Sequence, residues 1–209
     1  MAEILIPGPY GRAEYVEKKS RFIGQVWRVE SESEAQARIA ATREEYWDAT
    51  HNVHAFILRS GASRCSDDGE PHGTAGVPVL EVFRKGGVGD VCCVVTRYFG
   101  GTLLGAGGLV RAYGKAASMA LEAAGLCRMR MWTELVFECP YSFYEPAIKR
   151  FEGLGGAVAE TTFTDCVTVS GMIPQGQENT LVRVLSELSS GKIEPIFTGE
   201  AELPERIDG

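Results

Sequence analysis

The sequence predicts an α+β fold in two domains, and three observations carry that prediction. The chain of 209 residues is 44% hydrophobic and 23% charged, ordinary material for folded cores and long enough for two small domains. Strand-like and helix-like text are mixed along the whole length. Residues 131–209 read as strand, helix, strand, strand, helix, strand, the split βαββαβ order of ferredoxin-like domains. The boundary is expected near residue 130, giving domains 1–130 and 131–209.

The elements follow in order. Two strand-like runs fall around residues 13–29, the second being Arg21–Val29. In SESEAQARIAATREEYW, Ser31 and Glu34 form a capping box ahead of Ala35, Ile39 and Tyr46 at helical spacing. NVHAFILR, residues 52–59, is apolar on both alternating faces, as a covered central strand must be. Ser60–Gly73 is loop by composition. Thr74 is the expected N-cap of a short helix to Arg84, with Pro78 near its first turn and Gly86–Gly87 as its stop. A buried strand, Val91–Phe99, runs into GGTLLGAGG and a long helix ending at Gly125. LCRMRMW predicts a stiff, strand-like connection. After it come the strand MWTELVFEC, a helix boxed by Ser142 and Glu145, the hairpin AVAETTF/CVTVSGMI, a helix from about Gln177 to Ser190 and the strand KIEPIFTG.

The net charge of −7 is unevenly placed: residues 1–130 carry 16 Lys and Arg against 15 Asp and Glu, residues 131–209 carry 5 against 13. The second half repels nucleic-acid phosphates, so such contact must come from a patch on the first. The six cysteines sit mostly in apolar text without a CxxC pair, which predicts reduced thiols and no structural metal. The N-terminus has no leader pattern, and no apolar run approaches the ~20 residues of a membrane helix. A cytoplasmic protein without cofactor or membrane partner is expected, with a monomer favoured and the oligomeric state left open.

Two clusters carry chemical interest. In RCSDDGEPHGTAGVP, Asp67, Asp68, Glu70 and His72 stand within six positions, a density suited to cation binding or acid–base work and equally to loop anchoring. The reading adopted is that Asp67, Asp68, Glu70, His72 and Thr74 anchor the loop or supply counter-charge. In RYFGGTLLGAGGLVRAYGKA a strand passes through a glycine turn into a helix, whose first N–H groups and dipole favour an anion. Neither GxGxxG with a following acid nor GxxxxGK[ST] fits. On that helix Leu109, Ala112, Ala116, Met119 and Ala123 are the expected buried stripe, with Arg111, Lys115, Ser118 and Glu122 opposite. Cations in the first turns oppose the helix dipole by a few tenths to ~1 kcal/mol each, and such a conflict marks function. The expected anion-receptive set is Arg64, Arg97, Gly100, Gly101, Gly107, Gly108, Arg111 and Lys115. No residue is assigned a catalytic role. His51 and His54 read as packed or capping residues, and Trp27, Trp47 and Trp132 as core or domain interface.

KKSRFIGQ, HNVHAF, SDDGEPHGTAGVPVL, VVTRYFGGTLLGAGGLVRAY and KAASMAL together resemble the IMPACT/YigZ family. The resemblance implies that residues from about Lys18 to Ala124 fold like the second domain of ribosomal small-subunit protein five. The remainder is similar to the C-terminal domain of bacterial YigZ proteins, a relative of a ferredoxin-like domain of elongation factor G. It also implies a role near translation or its stress control, with RNA, the ribosome or translation factors as partners and no established catalytic residues. Three functions are therefore open: a non-enzymatic translation-associated binding protein, an enzyme acting on a phosphorylated small molecule, and a protein-interaction module using the second domain.

Overall fold

The structure, a computed structural model, describes residues 4–207. Its contacts divide the chain into two compact units: one runs to Arg128 and takes in the chain's end from Glu205, the other is Met129–Pro204. Both are α+β, each built on an antiparallel sheet.

In the first unit, β1 (Leu5–Pro7) is followed by β2 (Tyr10–Glu17), β3 (Ser20–Arg28), α1 (Glu32–Glu45), β4 (His51–Ile57), β5 (Ser63–Ser66), α2 (Gly76–Lys85), β6 (Val91–Tyr98) and α3 (Ala106–Ala124). The sheet order is β2-β3-β6-β4-β5. Strand alternation sorts its side chains into two cores. Val53, Ala55, Val91, Cys93 and Val95 face α2 and α3, while Phe56, Leu58, Cys92 and Val94 meet Ala35 and Ile39 of α1. The sheet is thus covered on both faces, which is why β4 and β6 are apolar on alternate and intervening positions alike.

Several local expectations change. The segment 60–73 is not all loop, because Ser63–Ser66 pairs with β4 as an edge strand. Ser31 caps α1 and accepts from the Glu34 backbone N–H at 3.2 Å, but the Glu34 carboxylate returns to the Glu30 N–H rather than to Ser31. Thr74 does not cap α2; its hydroxyl donates to the Pro71 carbonyl, and the carboxylate of Asp67 serves the helix start instead. The buried face of α3 is wider than the expected stripe. Tyr113, Ala117, Ala120 and Ala124 join Leu109, Ala112 and Ala116, and Ala123 is exposed. The cause is that α3 packs against α2 as well as β2 and β3, so two adjoining faces are apolar.

The second unit comprises β7 (Leu126–Cys139), α4 (Tyr141–Gly153), β8 (Ala157–Phe163), β9 (Val167–Pro174), α5 (Glu178–Ser189) and β10 (Ile196–Arg206), with the ends of β7 and β10 lying in the first. β10 pairs β7, β7 pairs β9 and β9 pairs β8. In order of occurrence that is 4-1-3-2, the ferredoxin-like arrangement. Leu135, Phe137, Val167, Val169 and Ile173 form its core with Phe151, Leu181 and Leu185 of the helices. LCRMRMW is part of the continuous strand β7. The Ser142–Glu145 box is absent: α4 begins one residue after Pro140, so Ser142 lies inside the helix. The last strand begins at Ile196 and runs to Arg206, later than the expected 192–199.

Candidate anion-binding site

The acidic loop comes first, because its charges are all engaged locally. Asp67 accepts from the backbone N–H groups of Gly73, Ala75 and Gly76 at 2.8, 3.1 and 2.8 Å. Burial pushes its carboxyl up, but these three donors outweigh it and hold the group below the usual range. Asp68 accepts from Arg43 at 2.6 Å and from the Asn52 N–H at 2.6 Å. Glu70 is buried and accepts at Oε1 from Arg97 at 2.5 Å and from the Tyr113 hydroxyl at 2.7 Å. Burial, then the Glu70 carboxylate, drives the Tyr113 phenol far up, so it remains a donor. His72 is fully exposed, 3.8 Å from Asp67. The four acid and imidazole groups therefore do not converge, and among the described residues no three His, Cys, Asp or Glu are placed to hold a metal ion.

The glycine turn lies between β6 and α3. A Cβ at Gly100 would sit 2.1 Å from the Lys19 carbonyl carbon, so only glycine lets the turn rest on the β2–β3 hairpin. Gly105 precedes α3 with φ of 72°, and no side chain caps the helix. Gly107 and Gly108 stand in its first turn, where no acidic residue answers the dipole. The hairpin has its own signature. Lys18 and Lys19, at φ of 45° and 68°, hold the two left-handed positions of the turn, which Asn-Gly occupies at less cost.

These contacts bring a groove of about 490 Å³ into being, lined by Tyr15, Glu17, Lys18, Leu104, Arg111 and Lys115 among others. Lys18, Arg111 and Lys115 are exposed and make no ion pair or hydrogen bond among the described residues. Glu17 accepts from the Tyr15 hydroxyl at 2.7 Å. Three free cations against one carboxylate leave the groove positive. A second cavity of about 410 Å³ opens on the other side of Leu104, between the acidic loop and the glycine turn, with His51, Glu70 and Arg97 among its lining.

Two residues of the expected set lie elsewhere. Arg64 is opposite Phe56 on β5, hence on the α1 face, and pairs with Glu32 at 3.0 Å. Arg97 is 5% exposed, bonded to Glu70 and Ser20 and stacked near Phe22 and Phe99, so its charge is compensated inside the protein. Trp47 is 83% exposed and is not core. Its neighbour Asp48 accepts from the Tyr98 hydroxyl, which places it by the end of β6.

The family profile of the Impact N-terminal domain matches residues 18–121, the stretch holding both loops, the hairpin and α3. The IMPACT family member YvyE of Bacillus subtilis (strain 168) is 37% identical over 184 residues, covering 87% of this chain and 85% of the relative. The chain belongs to the IMPACT family. The family member YigZ of Escherichia coli (strain K12) is 41% identical over 128 residues, 59% of this chain and 63% of that protein. A solved structure described as a crystal structure of an hypothetical protein superposes with a TM-score of 0.59 at 30% identity, covering 95% of this chain and 99% of the other.

In this IMPACT-family chain periodicity missed Lys18, which the hairpin brings to the groove, and Gly105, which opens α3 and lines the second cavity. The Lys18–Lys19 pair in KKSRFIGQ was the available signal: a hairpin turn without glycine or asparagine is a local conflict. Tyr113 was legible too, one turn beyond Leu109 on the same helix face.

Proposed function

We propose that this protein is a non-enzymatic, translation-associated regulator that binds RNA, alone or within ribosomal particles, through the basic groove of its first unit. The observation that carries the reading is that Lys18, Arg111 and Lys115, unpaired among the described residues, line one groove beside a helix start that no side chain caps. Cations held apart from carboxylates are suited to the regularly spaced charges of a phosphate backbone. Family membership supports the translational setting. The acidic second domain favours contact through the first unit alone.

The test is RNA affinity across a salt series of about 50 to 200 mM. Three phosphate contacts give a slope of log affinity on log salt near −2, since each contributes about −0.7 on single strands. Arg111→Glu with Lys115→Glu should lower affinity at least tenfold and flatten the slope. Unchanged affinity in that variant, or binding indifferent to salt, overturns the reading.

A further inference from the structure

We infer that the cavity beside the groove receives an unpaired base of the bound RNA, and that its chemistry selects guanine. This deepens the RNA-binding reading and rests on it. The two recesses share Leu104 as a wall, so a strand whose phosphates follow Lys18, Arg111 and Lys115 passes the cavity's edge. At about 410 Å³ the cavity falls within the ~300–1,000 Å³ range of small-ligand sites, enough for one base and too little for a helix of a protein partner.

Its rim and its floor differ in kind. The rim carries Phe99, 46% exposed, and Leu103, 82% exposed, large apolar side chains open to solvent. The Phe99 ring already has the Arg97 guanidinium 5.5 Å from its centroid on one side. An unstacked base is a planar apolar group that settles on such a ring, and single-strand binding proteins use this contact.

The floor offers acceptors beside the Arg97 guanidinium, whose buried Nε–H has no partner among the described residues. Glu70, 8% exposed, receives its two hydrogen bonds at Oε1, and among the described residues Oε2 receives none. That oxygen keeps lone pairs that a ligand N–H can meet. His51 Nδ1 lies 2.8 Å from the Asp68 carbonyl oxygen, which can only accept, so Nδ1 carries the proton. In the neutral ring Nε2 is then a second acceptor, and it lies 3.8 Å from Glu70 Oε1. Acceptors call for a base that shows adjacent donors. Guanine does so through N1–H and the N2 amine. Adenine and cytosine set a lone pair beside their amine, and uracil has one N–H between two carbonyls. The carboxylate therefore favours guanine over bases that set a lone pair or a carbonyl beside their donor.

The experiment compares fluorescent short uridine tracts, with or without one central guanine or adenine, and a blunt RNA duplex, on the full chain. The guanine-bearing tract should bind about tenfold tighter than uridine alone, as expected for one base stacked and hydrogen-bonded, and the adenine-bearing tract should gain far less. Phe99→Ala, at a half-exposed position and checked for an unchanged urea midpoint, should remove most of that gain and leave duplex affinity unchanged. Equal affinity for all single strands, or a Phe99→Ala variant that keeps the guanine preference, overturns the base site while the groove reading stands. Absence of any RNA binding, duplex included, overturns both.

Discussion

The acidic loop and the basic groove flank one glycine turn, and they treat charge in opposite ways. In the loop each carboxylate has donors within the protein: backbone N–H groups for Asp67, Arg43 and Asn52 for Asp68, Arg97 and Tyr113 for Glu70. In the groove Lys18, Arg111 and Lys115 make no ion pair or hydrogen bond among the described residues, and Arg111 and Lys115, the sixth and tenth residues of α3, lie beyond the first turn in which the sequence expects the helix dipole to oppose them. Engaged charges build the fold, and unengaged ones are available to a ligand. Charge density in sequence does not identify the ligand site: the dense acidic run of residues 67–72 is engaged inside the fold, while the exposed cations come from positions as far apart as Lys18 and Lys115.

Mutations that treat the two regions alike should therefore have unlike results. The largest effect is expected for Glu70→Gln, which keeps volume but leaves Arg97 buried without a counter-charge. Urea unfolding should show a loss of about 3–5 kcal/mol, and a change below about 1 kcal/mol would mean that the loop is not held by this pair. Next comes Gly100→Ala. Its methyl meets the Lys19 backbone, which cannot step aside as a side chain can, so a cost of about 1–3 kcal/mol is expected. The displaced hairpin should weaken RNA binding as well, by moving Lys18.

Asp67→Asn should cost about 1–2 kcal/mol near neutral pH, for loss of the charge that its three N–H donors favour. The pH dependence has a definite sign. The folded carboxyl titrates below its unfolded value of about 3.9, so its contribution is complete above that value and is lost as pH falls through the folded one. Acid unfolding of the variant should be correspondingly shallower below about pH 4, and an unaltered acid limb would count against the anchor. The smallest effect on stability belongs to Arg111→Ala and Lys115→Ala. Each should stay within about 0.5 kcal/mol of the parent, while RNA affinity falls. Destabilisation beyond 1 kcal/mol would place these residues with the builders, and the contrast would fail.

Much of the fold was legible because it depends on local rules. The βαββαβ order of residues 131–209 follows from period, caps and turn residues, and strand pairing then gives the 4-1-3-2 sheet. The errors fell where a partner distant in sequence intervened. Ser63–Ser66 has too few residues to read as a strand and becomes one by pairing with β4. Thr74 was the natural N-cap by type, but a carboxylate seven positions earlier reaches the helix start first.

The candidate site divides along the same line. By itself the sequence determined that the glycine turn opens a helix, that Arg111 and Lys115 lie on its outer face, and that the acidic half of the chain is the second one. Those facts depend on helix period and composition. Only the tertiary structure decided that Lys18 completes the groove, that Arg97 turns inward to Glu70, and that Arg64 lies on the far face of the sheet. Whether a charge is free depends on which side chains the strand register brings within a hydrogen bond's reach, and the pairing of β3, β6 and β4 joins residues far apart along the chain.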